Sequence, residues 1–562
     1  MTRVPEIMAT IGPTLEKIDD LRRAVQAGVR WFRLPCGYRQ RPHLENARDV
    51  RKVAAEVDFP VRLLLDLPSS RPRTGAMKDL QLEVGARVLL WDSQRRAEPP
   101  VAAAAAAVPL PQLHGLLDKI VPGHRLWFCD ARLEFMVEEV RGDGVLARLV
   151  RGTIPLKSSN SIYLPDSSSP FTMVTEDDLT LLDRFAQSGI VPDWVALSLI
   201  STPEDVLAGR EKAERCLGQA VRVMAKIETQ AAVDGVESIL AVADGAMVAR
   251  GDLGPAVRFI GLPAAQAHIV AAARHAGKPV VVATQVLEYY AEHGVPLRAE
   301  ICGLSLIAQQ NPDAVMLGKE TVFSPRPIES IRFATDVLTY ETRRLEAERT
   351  KFLRPPAAAT GRPFLVAIEG PNGAGKTRLC SLLGQVLGAA TLRGVPAAWE
   401  DSALKLHMIR DADWLASAMY FLSGVIESSR QAALGDVKLQ VMDRSLYSTL
   451  AVHYAHDPAR LETLLPLFAL AADRLALPDL TIVLEADART CRQRIARKSG
   501  AEQQLDAASP SNEAFRLRER EFYHWLAGHG LKVVFLDANA GTPEDVCRRA
   551  AELIRGSLPC CC

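Results

Sequence analysis

The sequence carries no net charge: Lys plus Arg number 67, and Asp plus Glu number 67, in 562 residues. Nothing in that balance recruits nucleic acid or an anionic membrane, while small charged substrates stay open. Metal-finger spacing is missing as well. The ten cysteines are scattered, and no C-x-x-C pairs with a second one or with H-x-x-x-H, which excludes a zinc or disulfide framework. No basic stretch followed by an apolar core opens the chain, and no apolar run reaches membrane-spanning length; "VAAAAAAVPLP" (101–111) is short and contains proline. A C-a-a-X box would need cysteine where Pro559 stands, so the Cys560–Cys562 run reads as a solvated tail, or as a thiol or metal-capture element. A cytoplasmic, reduced protein without nucleic-acid or membrane partners is expected.

What is present is alternation. The length exceeds what a single core usually supports, so two or three domains are expected. "EIMATIG", "VRWFRL" and "VRLLLDL" are apolar runs separated by helical patterns, and the rhythm resumes with "DWVALSL", "VRVMAKIET", "GAMVAR", "PVVVATQ" and "DAVMLG". About eight strand–helix units predict a (β/α)8 TIM barrel over residues 1–76 and 168–345. Residues 77–167 break the rhythm with short alternating strands, read as an inserted β-barrel lid. A Pro/Ala/Gly-rich passage marks a linker at 346–362. Beyond it "FLVAIEG", "LQVMDRS", "DLTIVLEA" and "LKVVFLDA" predict a second parallel α/β sheet over 363–556, with a cysteine-rich tail at 557–562. The fold class is thus α/β: a lidded barrel followed by a second parallel α/β/α domain, which the glycine-rich motif of residues 370–377 makes P-loop NTPase-type.

Gly370-Pro371-Asn372-Gly373-Ala374-Gly375-Lys376-Thr377 satisfies G-x-x-x-x-G-K-[ST], after an apolar strand and before a helix. Its glycines let backbone N–H groups converge on phosphate oxygens at the helix N-terminus. Lys376 would neutralise the β/γ phosphates, and Thr377 would hold Mg2+. Around it, "DRSLYSTLAVH" (443–453) and "PDLTIVLEADARTCRQRIARK" (478–498) resemble the thymidylate kinase and deoxynucleoside kinase group, over roughly residues 363–555. The resemblance implies that Asp443 and Arg444 serve substrate or metal, and that Arg494 and Arg497 close on the transferring phosphoryl. Asn372 stands where thymidylate kinases commonly have Asp, His453 replaces a Gln near the base pocket, and "AWEDS" replaces R-E-P-G-G. Glu400 or Asp401 would either activate a hydroxyl or cap the next helix. Arg430 would either grip an acceptor phosphate or belong to a solvated face.

The first two-thirds resembles pyruvate kinase over roughly residues 3–345. "ATIGPTLEKIDDLRRAVQAGVRWFRL", "MAKIETQAAVDGVESILAVADGAMVARGDLG", "GKPVVVATQVLE", "PLRAE" and "DAVMLGKET" follow in the family order. The resemblance makes Glu228 and Asp252 the carboxylates for Mg2+ (or Mn2+). Lys226 becomes the cation for the transferring phosphoryl and the enolate, and Thr284 the hydroxyl near the enolate carbon. Arg33, Arg73 and Gly251 become the phosphate contacts. Lys226 and Glu228, two residues apart on one strand, point to the same side. Departures accompany the match. The family's R-x-N-x-S cation loop reads Arg33-Leu34-Pro35-Cys36-Gly37, which removes both polar ligands, and a Glu has become Arg71, so K+ independence is expected. Asp66 is kept. In the lid, Cys129 replaces an Asp beside Asp130, and Asn160 replaces a Lys; Gly303 replaces a further Asp.

Together these readings imply a bifunctional phosphotransferase and expected homo-oligomer. One domain would move the ATP γ-phosphoryl to a nucleoside monophosphate of dTMP type. The other would convert phosphoenolpyruvate and a diphosphate (ADP, for instance) to pyruvate and a triphosphate. Alternatives are a divergent phosphoenolpyruvate or carboxylate reaction in the barrel, a non-catalytic barrel scaffold, and a kinase acting on a nucleoside or modified nucleotide.

Overall fold

The computed structural model describes residues 3–37, 42–69, 72–96, 98, 106–111, 113–129, 131–142, 144–166, 174–355, 362–396, 399, 402–433, 437–498, 503 and 512–558. Arg71, Asp130, Glu400, Asp401 and Cys560–Cys562 therefore lie outside the described residues. The chain divides into two compact units, Thr2–Thr342 and Arg343–Cys562, with Met1 grouped with the second.

The first unit begins with β1 (Glu6–Thr10), β2 (Val29–Pro35) and β3 (Arg62–Leu67). The lid follows as β4 (Arg87–Trp91), β5 (Ala106–Pro109), β6 (Arg125–Phe128), β7 (Leu133–Arg141), β8 (Gly144–Arg151) and β9 (Ile162–Tyr163). Then come β10 (Trp194–Leu197), β11 (Arg222–Ile227), β12 (Gly245–Ala249), β13 (Val280–Ala283) and β14 (Ala314–Leu317). Eight parallel strands close in the order β1-β14-β13-β12-β11-β10-β3-β2, as the strand count predicted. Strands such as "VVVA" are buried throughout, because helices cover them outside and side chains fill the barrel inside. That filling includes Met8, Trp31, Trp194, Met224, Met247 and Met316. Gly245 makes the fit possible: a Cβ there would come within 3.2 Å of the Trp194 ring and 2.8 Å of the Pro279 carbonyl. Covering helices are cut to length locally. Thr175 and Thr202 cap theirs through boxes with Asp178 and Asp205, and Gly189 and Gly218 end them in the left-handed conformation.

The lid was expected to be a small β barrel. Among the described residues it is instead an open six-stranded sheet in the order β5-β4-β8-β7-β6-β9, wrapped on its own core around Phe128, Phe135 and Leu149. β5 adds parallel to β4 and leaves the sheet with two unlike edges, β5 and the two-residue β9, that do not meet.

The second unit corrects the expected linker. Residues 346–350 continue the helix Pro327–Thr350, and Lys351–Leu353 form a further 3-10 turn. Leu353 is fully buried in this unit's core, and its carbonyl accepts the Tyr447 hydroxyl at 2.6 Å. The run "TRRLEAERT" is rich in helix formers, so the helix outlasts the boundary read from composition. Strands β15 (Phe364–Glu369), β16 (Ala390–Arg393), β17 (Leu439–Asp443), β18 (Leu480–Glu485) and β19 (Val533–Asp537) form a parallel sheet ordered β16-β17-β15-β18-β19. The chain changes sides about β15, so the carboxyl ends of β15 and β17 frame the crevice where ligands of such sheets bind.

Two candidate phosphotransfer sites

At the carboxyl end of the barrel, four neighbouring strands contribute one connected charge array. Arg33 of β2 donates through Nε to Asp66 Oδ2 of β3 at 2.7 Å, and through a terminal nitrogen to Thr10 Oγ1 at 3.3 Å. Lys226 Nζ of β11 lies 3.2 Å from Asp66 Oδ1 and 3.7 Å from Glu228 Oε2, and donates to Ser198 Oγ, just beyond β10, at 2.7 Å. Glu228 Oε1 accepts the Leu199 N–H at 2.6 Å. Asp66 and Glu228 are buried. Burial would raise the Asp66 carboxyl, but Lys226 and Arg33 outweigh it and hold it below the usual carboxylate range. The carboxylates thus keep two cations in place at the barrel mouth, where anionic substrates of such barrels bind.

The next two strands extend the array. Asp252 lies in the first turn of the helix Arg250–Ala256 that follows β12. Thr284 and Gln285, beyond β13, both adopt the left-handed conformation (φ 67° and 52°). For a β-branched residue that costs about 1–2 kcal/mol. The Thr284 hydroxyl is buried and, among the described residues, has no hydrogen-bond partner. A Cβ at Gly251 would sit 3.7 Å from it. Arg73 stands apart: its guanidinium donates to the Ser159 carbonyl where the chain enters and leaves the lid. Cys36 is buried, and burial pushes its thiol well up; neither Pro35 nor Gly37 offers a side-chain oxygen.

In the second unit the loop after β15 adopts the cradle geometry. Gly370, Gly373 and Gly375 have φ of 123°, 79° and 103°, and a Cβ at Gly370 or Gly373 would strike the Leu484 or Cys491 carbonyl at 2.5 and 2.6 Å. Asn372 and Ala374 lie between them. Lys376 opens the helix Lys376–Leu387, and its Nζ donates to the Gly370 and Pro371 carbonyls, both at 2.8 Å. Burial, then the nearby Arg444, bring its ammonium down to about 8. Thr377 Oγ1 donates to Asp443 Oδ2, at the end of β17, at 2.5 Å. Arg444, left-handed at φ 70°, donates to Asn372 Oδ1 and to Ser448 Oγ. Behind it, buried Glu369 accepts from Ser445, Ser448 and Tyr523, and burial raises its carboxyl.

Four further residues of this unit can be placed: Arg494, Arg497, Arg430 and His453. Arg494 was read as closing on the phosphoryl. Its guanidinium instead donates to the Gly373, Ala374 and Ala538 carbonyls, bracing the cradle from outside, because its helix packs the Cys491 backbone against Gly373. Arg497 follows at the exposed end of that helix. Arg430 pairs with Glu427 on the same helix and is 64% exposed, which is the solvated-face alternative. His453 is buried edge-on to Trp414, and burial takes its imidazole down to about 4, so it is neutral near pH 7.

Sequence reading did not single out Arg250, Glu320 or Arg393. Arg393 ends β16 in register with Asp443; a strand-end arginine beside a crevice was the available signal. Glu320 sat inside a quoted motif, but only the fold reveals what it holds.

Among the described residues no three His, Cys, Asp or Glu side chains gather in a metal-sized group. The donors present (Glu228 and Asp252 beyond neighbouring strands, Thr377 with Asp443) are hard oxygens in ones and twos. That suits Mg2+, which keeps most of its positions for water and substrate oxygens. No helix among the described residues is long and apolar enough to cross a membrane.

Barrel mouth and glycine cradle are thus two candidate sites, one at the carboxyl end of each parallel sheet. Residues 2–331 match the family described as pyruvate kinase, barrel domain, and residues 368–548 match thymidylate kinase. Similar proteins include the pyruvate kinase of Methylorubrum extorquens, 31% identical over 332 residues, covering 59% of this chain and 67% of that protein. The pyruvate kinase of Thermococcus litoralis is 30% identical over 335 residues (59% and 68%), and one from Agrobacterium vitis is 29% identical over 379 (66% and 75%). The chain belongs to the pyruvate kinase family through its barrel, and residues 368–548 are similar to thymidylate kinase.

Proposed function

We propose that the chain is a bifunctional phosphotransferase. The barrel takes the phosphoryl of phosphoenolpyruvate to a nucleoside diphosphate, giving pyruvate and a triphosphate; the C-terminal domain moves the ATP γ-phosphoryl to a nucleoside monophosphate. The observation that carries the first half is the Arg33–Asp66–Lys226–Glu228 array. Its cations face the barrel mouth while its carboxylates prevent their mutual repulsion. Phosphoryl transfer asks for little beyond such positioning and positive charge around a spread-out anion.

Mg2+ bound at Glu228 and Asp252, or at Thr377 and Asp443, would neutralise phosphate oxygens. Lys226 would stabilise the enolate left when the phosphoryl departs, and Thr284 would hydrogen-bond beside the carbon that then takes a proton. Arg33, Arg73 and the Gly251 backbone would hold the phosphate. In the cradle, Lys376 would leave its loop carbonyls for the nucleotide's phosphates, with Arg444 and Arg497 facing the acceptor side. Arg494 keeps the loop in shape.

The diphosphate product of the kinase is a substrate class for the barrel, as is the ADP it releases. One chain would then carry a monophosphate to a triphosphate at the expense of phosphoenolpyruvate. Pro35 and Gly37 favour turnover without K+: replacing Na+ by K+ should change the pyruvate rate by less than about twofold, and an absolute K+ requirement would contradict this. The Asn372–Arg444 contact favours a second reading of the acceptor. An amide where thymidylate kinases have a carboxylate alters what the sugar meets, so a nucleoside or modified nucleotide belongs in the assay. A panel of monophosphates and nucleosides with ATP and Mg2+, with Lys376→Ala as control, tests the kinase half. Pyruvate release with each diphosphate tests the barrel.

A further inference from the structure

We infer that Arg250 and Glu320 are positioning residues that hold the Thr284 hydroxyl in place for the barrel reaction. Thr284 tips β13, and the pair reaches it from the two strands that flank β13 in the barrel, β12 and β14. Arg250, the first residue after β12, donates to three consecutive carbonyls: Ala283 at 3.3 Å, Thr284, and Gln285 at 3.0 Å. Glu320, fully buried beyond β14, accepts the N–H groups of Val286 at 3.0 Å and Leu287 at 2.9 Å on Oε1, and that of Gly318 at 2.7 Å on Oε2. The loop's carbonyls are thus taken by a cation from one side and its amides by an anion from the other.

Two adjacent left-handed residues without glycine persist only where surrounding structure over-determines them. The clamp supplies that determination. Its outcome is specific: the buried Thr284 hydroxyl is left without a hydrogen-bond partner among the described residues, with Gly251 and Gly318 beside its side chain. A Cβ at Gly318 would lie 3.8 Å from Thr284 Cγ2, so neither neighbour fills the space beside it. Arg250 also directly precedes Gly251 and Asp252, so one helical turn joins the clamp to the expected metal carboxylate.

The inference deepens the proposed barrel reaction and rests on it. Glu320→Gln and Arg250→Lys, each made alone and in a Thr284→Ala background, test it by two readouts. Site-resolved amide exchange should rise at least about tenfold at Val286 and Leu287, or at Gly318, in Glu320→Gln, with the rest of the barrel unchanged. Steady-state kinetics should show kcat for pyruvate falling roughly 10- to 100-fold, with KM for phosphoenolpyruvate moving less than about threefold. In the Thr284→Ala background either variant should cost less than about a further twofold. Unchanged loop exchange, an unchanged kcat, or an equal loss without the hydroxyl overturns the positioning role while leaving the reaction intact. A wild-type chain that makes no pyruvate from any diphosphate overturns the reaction, and the role with it.

Discussion

The two sites hold their lysines in opposite ways. In the barrel, Lys226 is met by the carboxylates of Asp66 and Glu228 and by a serine hydroxyl, so its charge is matched before any substrate arrives. In the cradle, Lys376 is buried against the neutral carbonyls of its own loop, with Arg444 nearby, and its ammonium is brought down to about 8. The barrel lysine sits in direct ion pairs at rest; the cradle lysine contacts carbonyls, with Asp443, Glu519 and Glu369 offsetting only part of its desolvation. A preformed ion-pair array suits the proposed enolate chemistry, which gains from a site that need not reorganise. A desolvated lysine that contacts only neutral carbonyls suits one whose ligand brings several negative charges at once.

Removing each lysine separates the two most sharply. Lys226→Ala should lower pyruvate formation by about 10²–10³-fold and leave monophosphate phosphorylation unchanged, with Lys376→Ala doing the reverse. One substitution abolishing both rates in separate assays would break the picture of independent sites. Stability should differ as well. Asp66→Ala leaves Arg33 and Lys226 without their shared anion and should destabilise the barrel unit by roughly 3 kcal/mol in denaturant unfolding; a loss below about 1 kcal/mol would mean the cations relax into water.

A third difference is readable by pH. The folded value of Lys376 lies below its unfolded one of about 10.4, so the ligand-free fold binds fewer protons than the unfolded chain between those values. This group's contribution to stability should therefore rise as pH increases from about 8 to about 10. A nucleotide's phosphates favour the ammonium, so ATP binding should take up a fraction of a proton at pH 8–9 and almost none at pH 6.5. Calorimetry in buffers of different ionisation enthalpy measures this, and uptake persisting in Lys376→Ala would assign it elsewhere. The smallest effect is expected at Arg430, where alanine should change either rate by less than about twofold, since it is exposed and its partner is a neighbour on the same helix.

The fold was legible because its signals are local. Buried strand runs alternate with helical periods, and motifs such as "KIET" and "GAGKT" fix side chains relative to a strand end or a helix start. The same locality explains the errors. The boundary was placed at 346 by composition, whereas "LEAERT" keeps its helix and Leu353 joins the second core. The lid's alternation predicted strands but not which of them would pair, so an open sheet was read as a barrel. The placement of Arg494, whose closing role came from the resemblance alone, depends on where Cys491 meets Gly373, more than a hundred residues away in sequence. The Arg250–Glu320 clamp joins three strands and had no short-range signature. Of the two readings open for Arg430, the solvated face also had a local signal, since Glu427 stands three residues before it.

The most direct test of two working sites in one chain supplies phosphoenolpyruvate, Mg2+, a monophosphate acceptor and a trace of ATP, and follows pyruvate together with nucleotides. The account predicts pyruvate released in step with triphosphate, lost in Lys226→Ala and in Lys376→Ala alike because each removes one of the two linked reactions. Pyruvate absent with every acceptor and every added diphosphate, from a chain that binds Mg2+ and ATP, would contradict it.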